Sequence, residues 1–171
     1  VVYYSCSSSV GEATNVTVVG KQGITFSGDI VGGTWKQSNA TSDDDKSSAV
    51  NTNLTISGDG VYTGRVVAGH LDNGLAGATE VTGVSKLTIN GGTFNNYVVG
   101  GSSLASVEKS QSCSATVKAV DMTINGGDFN AMLVGGSLVA PADGSKGYTA
   151  SDAGVESVTM TLKGADTTIS S

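Results

Sequence analysis

Apolar and polar residues alternate along this chain in short bursts, and the bursts recur. They read Leu54-Thr55-Ile56-Ser57-Gly58, Leu87-Thr88-Ile89-Asn90-Gly91-Gly92, Met122-Thr123-Ile124-Asn125-Gly126-Gly127 and Val158-Thr159-Met160-Thr161. The central apolar residues fall at 56, 89, 124 and 160, in steps of 33, 35 and 36. Alternation of period two marks a half-buried strand, and recurrence at this length marks stacked units that share one core. In Leu87-Thr88-Ile89 the pattern predicts Leu87 and Ile89 inward and Thr88 outward. Asn90-Gly91-Gly92 supplies a turn, because asparagine and glycine tolerate positive φ. Phe94 follows Ile89 at an offset of five, as Phe129 follows Ile124 and Val61 follows Ile56. These three are predicted to stack as one core column.

A second strand follows in each unit: Asp29-Ile30-Val31-Gly32-Gly33, Arg65-Val66-Val67-Ala68-Gly69, Tyr97-Val98-Val99-Gly100-Gly101 and Met132-Leu133-Val134-Gly135-Gly136. The mixed column Asp29, Arg65, Tyr97, Met132 is predicted outward and Ile30, Val66, Val98, Leu133 inward. Val31, Val67, Val99 and Val134 then face outward as an apolar stripe, and such surface has a cover or a partner. The glycines behind it permit close approach of another backbone. Polar excursions follow at 34–53, 70–86, 102–121 and 137–157. Their ends regain strand character (Ala115-Thr116-Val117-Lys118-Ala119-Val120), which predicts a third strand late in each unit, after a flap that packs on the valine stripe.

No segment has sustained helical periodicity, so the fold class is all-β. The leading architecture is a right-handed parallel β-helix (β-solenoid) with about four to five repeats of 33–36 residues and long polar excursions. The rival is a duplicated set of antiparallel hairpins in a sandwich or roll. One domain spans 1–171: a cap or partial coil at 1–14, repeats at 15–52, 53–85, 86–120 and 121–156, and a partial repeat at 157–171.

The 171 residues are enough for one domain with a sizeable core. A net charge of −6 disfavours nucleic acid, which needs a basic face. No apolar run approaches the roughly 20 residues of a membrane helix. The chain begins at Val1 and both ends read as strand, so it is expected to be part of a longer protein. Cys6 and Cys113 stand about three units apart, roughly 14 Å along a stack of strands ~4.8 Å apart. That exceeds the about 7 Å Cα separation a disulfide spans. They are expected to be unpaired, one in a cap and one in a loop, unless the first ten residues fold back along the stack.

The pattern L-T-I-N-G-G-x-F followed by V-V-G-G resembles the repeats of bacterial autotransporter passengers and related β-helical surface adhesins, over about 15–161. The resemblance implies an extracellular β-helix at the bacterial cell surface, serving as stalk or adhesive surface. The excursions are longer than in the simplest passengers, two cysteines are more than such passengers commonly carry, and no membrane barrel is present. The shared motif is structural, so it transfers no functional residue.

Residues with chemical potential are sparse. Gly58-Asp59-Gly60-Val61-Tyr62-Thr63-Gly64 departs from G-x-G-x-x-G and precedes no helix, so it reads as a turn. His70, the only histidine, follows the Ala68-Gly69 pair where other units carry Thr34, Ser102 and Ser137, and is expected to be a surface-loop residue. One histidine and two distant cysteines do not make a zinc site. Asp43, Asp44 and Asp45 form an acidic run that attracts cations but lacks the calcium-loop pattern, so it reads as a solvated loop. Asp128, Asp143, Asp152 and Glu156 are the carboxylates a polysaccharide-degrading β-helix would use, if two came together. Trp35 is placed to stack on a sugar, yet aligns with Leu71 and Leu138 as a packing residue. Thr17, Thr55, Thr88, Thr123 and Thr159 form an outward ladder of the kind that binds ice, although threonine suits strand surfaces in any case. Its neighbouring column, Val19, Ser57, Asn90, Asn125, Thr161, is irregular. Asn15, Asn39 and Asn53 open N-glycosylation sequons.

The expected function is therefore non-enzymatic: a structural or adhesive segment of a bacterial surface protein, with no cofactor and no metal. Its expected partners are a host-surface glycan or protein, or another copy of itself. A polysaccharide-active enzyme fragment and an ice-binding solenoid are the alternatives. Binding candidates are Trp35, Asp43, Asp44, Asp45 and the stripe Val31, Val67, Val99, Val134.

Overall fold

The computed structural model describes residues 9–36, 46–72, 77–105, 113–140, 154–164 and 167–170. Among them every regular element is a strand. The chain runs through β1 (Ser9–Gly20), β2 (Thr25–Phe26), β3 (Ile30–Val31) and β4 (Trp35–Lys36), then β5 (Lys46–Gly58), β6 (Val61–Tyr62), β7 (Val66–Val67) and β8 (Leu71–Asp72). β9 (Gly77–Phe94), β10 (Val98–Val99) and β11 (Ser103–Ala105) repeat the circuit, as do β12 (Cys113–Phe129), β13 (Leu133–Val134) and β14 (Leu138–Ala140). β15 (Val155–Leu162) and β16 (Thr167–Ile169) follow. Like elements pair in parallel. β1-β5-β9-β12-β15 form the long sheet, with β2, β6 and β16 attached; β3-β7-β10-β13 form a second sheet and β4-β8-β11-β14 a third. The result is a parallel β-solenoid of about three turns.

The long sheet stacks like on like. Val16, Leu54, Leu87, Met122 and Met160 form one inward column, and Val18, Ile56, Ile89, Ile124 and Leu162 the next. Leu54, Ile56, Leu87, Ile89, Met122 and Ile124 are fully buried. Each such side chain contributes about 1.5–3 kcal/mol by leaving water. The last partner of Ile124 is Leu162, not the expected Met160. A shift of two residues keeps every side chain on its face, so alternation alone could not detect it. The same shift puts Thr161, not Thr159, in the threonine ladder.

Phe26, Tyr62, Phe94 and Phe129 form the ring column, with successive centroids 4.9 Å apart and planes within 12° of parallel. Val61 does not belong to it. The corner after Ile56 holds one more residue than those after Ile89 and Ile124, so Val61 pairs with Thr93 and Tyr62 takes the core position. Gly58 (φ 83°) makes that corner, and a Cβ there would collide with the Gly20 carbonyl. Hydroxyls tie the long sheet to the second across the interior: Thr52 donates to Ser85 (3.1 Å), and Ser85 donates to the Gly100 carbonyl (2.7 Å). Buried hydroxyls are tolerated because they are bonded in this way.

The expected late third strand is absent as a separate element. Ala115–Val120 is the first part of β12, and the third sheet instead follows the glycine pairs directly. Those glycines are contacted by their own equivalents in the next turn. The Gly33, Gly69 and Gly101 amides donate to the Gly69, Gly101 and Gly136 carbonyls at 2.8 Å each, and a Cβ on Gly69 would lie 2.8 Å from the Gly101 oxygen.

Candidate functional site

The valine stripe faces away from the main core, as its alternation requires, but it does not face water. Val67 and Val99 are fully buried and form a second apolar cluster with Leu71; Val31, Val134, Trp35, Tyr97 and Leu138 pack on it half-buried. The cover is the third sheet, whose column runs Trp35, Leu71, Ser103, Leu138. The glycine pair turns the chain sharply enough for the residues just after it to fold back over the valines. Trp35 thus packs on the stripe, in line with its alignment to leucines, and Val67 and Val99 lie beneath the third sheet. Asp43, Asp44 and Asp45 lie outside the described residues, as do Cys6, Asn39, Asp143 and Asp152.

His70 is not on the surface. It is fully buried within a polar ladder that follows the glycine pairs. The Thr34 amide donates to His70 Nδ1 (2.8 Å), the His70 amide to Ser102 Oγ (3.0 Å), and the Ser102 amide to Ser137 Oγ (3.0 Å). An amide N–H can only donate, so Nδ1 accepts and the proton resides on Nε2. Nε2 lies 3.0 Å from the Glu80 carbonyl, to which it donates. Burial holds the imidazole pKa below its ordinary value, and the Glu80 carbonyl opposes this by less. Thr34 Oγ1, 2.7 Å from Nδ1, gives a hydroxyl–imidazole pair of the sort that activates nucleophiles. Both groups are sealed from solvent, however, and the imidazole is oriented by a backbone carbonyl. The arrangement holds turns together. The sequence signal for this burial is that His70 occupies a column of small hydroxyl residues beside stacked glycines, a place no surface loop would keep.

The regular exposed surface is the outer face of the long sheet. Thr17, Thr55, Thr88, Thr123 and Thr161 form its central ladder. Asparagines flank it in axial pairs: Asn53 donates to Asn15 (3.0 Å) and Asn125 to Asn90 (2.7 Å). The sequon residues Asn15 and Asn53 are therefore bonded to each other. On the second sheet, Arg65 grips Asp29 through Nε and Nη2, the shortest contact being 2.6 Å. Two shallow grooves of about 400 Å³ run along the outside. One holds Asp59, Asn90, Asn125 and Asp128; the other holds Glu80, Thr116, Lys118 and Glu156. Asp128 and Glu156 thus stand in different grooves and do not form a carboxylate pair. Among the described residues no three His, Cys, Asp or Glu side chains gather as metal ligands. Among the same residues no helix is long and apolar enough to cross a membrane.

Comparison with protein-family models, with curated proteins and with solved structures finds no match to this chain.

Proposed function

We propose that the chain is a non-enzymatic structural segment of a bacterial surface protein: a right-handed parallel β-helix of four to five repeats that acts as a rigid stalk and presents its excursions for contact. The proposed setting is extracellular. The proposed partners are a host-surface glycan or protein, or a second copy of the chain. The likeness of L-T-I-N-G-G-x-F and V-V-G-G to autotransporter passenger repeats motivates this reading. The observation that carries it is the direction of the polar side chains. His70, the Asp29–Arg65 pair and the Asn15–Asn53 and Asn90–Asn125 pairs each bond to the next turn along the axis. Polar chemistry used in this way stiffens a rod, and loops on a rigid scaffold are where recognition concentrates. A glycan array and a cell-adhesion assay on the chain test it. Binding in either supports adhesion; absence in both leaves the stalk role alone.

A second reading is ice binding. It is favoured by the unbroken ladder Thr17, Thr55, Thr88, Thr123, Thr161 and opposed by the mixed column beside it. Absence of thermal hysteresis at high protein concentration removes it.

A further inference from the structure

We propose that His70 is an acid-sensitive latch: its protonation releases the corner after the glycine pairs from the long sheet and uncovers the buried valine stripe. The latch is defined by three contacts. Nδ1 accepts the Thr34 amide of the preceding turn, Nε2 donates to the Glu80 carbonyl at the start of the next circuit, and the His70 carbonyl accepts the Ser103 amide at 2.8 Å. One ring thus joins two turns of the corner to β9. A second proton can go only onto Nδ1, where it displaces the Thr34 N–H, which cannot accept, and finds only the neutral Thr34 hydroxyl at 2.7 Å, which can accept it but carries no charge to balance the cation. The turn has no room to adjust, since even a Cβ on Gly33 would lie 2.7 Å from Nδ1. Among the described residues packed around the ring, from 32–35, 100–103 and 79–81, the single titratable side chain is Glu80. It is exposed to water and meets His70 through its backbone, so no buried carboxylate compensates an imidazolium. The cation must leave its site to be solvated.

The corner is the part of the fold able to open alone. β3, β4, β7 and β8 are two residues each, whereas β9 has 18. Thr34 and His70 directly precede Trp35 and Leu71, two of the residues that cover Val67 and Val99. Unlatching therefore turns a buried apolar cluster into exposed surface, in segments held by two-residue strands. The inference stands whichever partner the rod has.

The test is amide hydrogen exchange on the full chain between pH 7.5 and 4.5, corrected for intrinsic rates, beside ANS fluorescence and ¹⁵N titration of His70. In the wild type, the opening constant at the Thr34, His70 and Ser103 amides should rise as pH falls below about 6.5, by at most about tenfold per pH unit. ANS binding should rise in parallel, and the three corner amides should stay less protected than those of Leu87 and Met122, which need global unfolding to exchange. His70→Ser, which places in this turn the residue found at 102 and 137, should lose the pH dependence. Equal slopes in wild type and H70S overturn the proposal. So does an imidazolium that forms with Thr34 protection retained, a result read on the wild type alone should H70S fail to fold.

Discussion

Replacing Phe94 by alanine removes a ring that has stacked neighbours on both sides within the core. Phe94 is 1 % exposed and lies between Tyr62 and Phe129 at 4.9 Å from each. Truncating a buried phenylalanine costs about 3–5 kcal/mol, and each aromatic pair contributes about 0.5–1.5 kcal/mol beyond its area. The void has little chance to collapse, because the spacing of the flanking rings is fixed by backbone bonds such as Asn95 N–H to the Tyr62 carbonyl (2.8 Å) and Asn130 N–H to the Phe94 carbonyl (2.9 Å). The expected loss is therefore toward the upper end, about 4–5 kcal/mol, a large share of the 5–15 kcal/mol typical of a domain. Phe26→Ala is the internal control. Phe26 is half-buried with one stacked neighbour among the described residues, and its loss should be about 2 kcal/mol. Guanidinium unfolding followed by far-UV circular dichroism gives both values, with the slope against denaturant checking that the same unit unfolds. Equal losses at the two positions, or a loss under about 1.5 kcal/mol at Phe94, would refute the stacked-column reasoning.

Val99→Lys places a charge in the closed second cluster and should cost several kcal/mol; an unchanged melting temperature would mean that the third sheet does not cover the stripe. Tyr62 is buried with its hydroxyl outside hydrogen-bond geometry, so Tyr62→Phe should leave stability at pH 7 unchanged or about 1 kcal/mol higher. Burial raises the Tyr62 pKa while the Gly20 backbone lowers it by less. The folded state then resists losing the phenolic proton, its stability falls as pH rises past about 10, and Y62F should flatten that alkaline limb in a chemical-denaturation series. For His70 the sign is opposite. Its folded pKa lies below 6.5, so the unfolded chain takes up the proton first. The contribution is complete above pH 6.5 and declines below it by at most about 1.4 kcal/mol per unit, and a midpoint that stays constant down to pH 4.5 would contradict this.

Much of the architecture is legible in the sequence because a solenoid writes each structural column as a periodic residue class. The inward Leu87/Ile89 pattern and the outward Thr88 column follow from alternation, and glycine pairs mark where backbones crowd. Two kinds of feature are not legible. Register within a strand is ambiguous by two residues, which misplaced Met160 and Thr159, and an inserted corner residue hid Tyr62 behind Val61. Outward-facing residues, in turn, cannot be told from residues that a later strand covers. Val67 and Val99 follow the exposed phase of their strand, and only the sharp turn after the glycine pair brings Leu71 and Trp35 over them. His70 is the instructive case. Its alignment with Thr34, Ser102 and Ser137 was visible, but an imidazole among hydroxyls reads as surface until the stacking that makes each of them accept a neighbouring amide is known.

The central claim is that equivalent residues of successive turns lie side by side, and disulfide trapping tests it most directly. In a background with Cys6→Ser and Cys113→Ser, cysteine pairs are placed at 88 and 123, at 123 and 161, at 123 and 159, and at 88 and 161. Adjacent parallel strands put paired Cα atoms ~4.8 Å apart, inside the disulfide window, whereas residues two turns apart lie at ~10 Å. The account predicts rapid closure of 88–123 and 123–161, with 123–159 lagging and 88–161 staying open. Closure of 123–159 ahead of 123–161 would contradict the register, and failure of 88–123 to close would contradict the parallel stack itself.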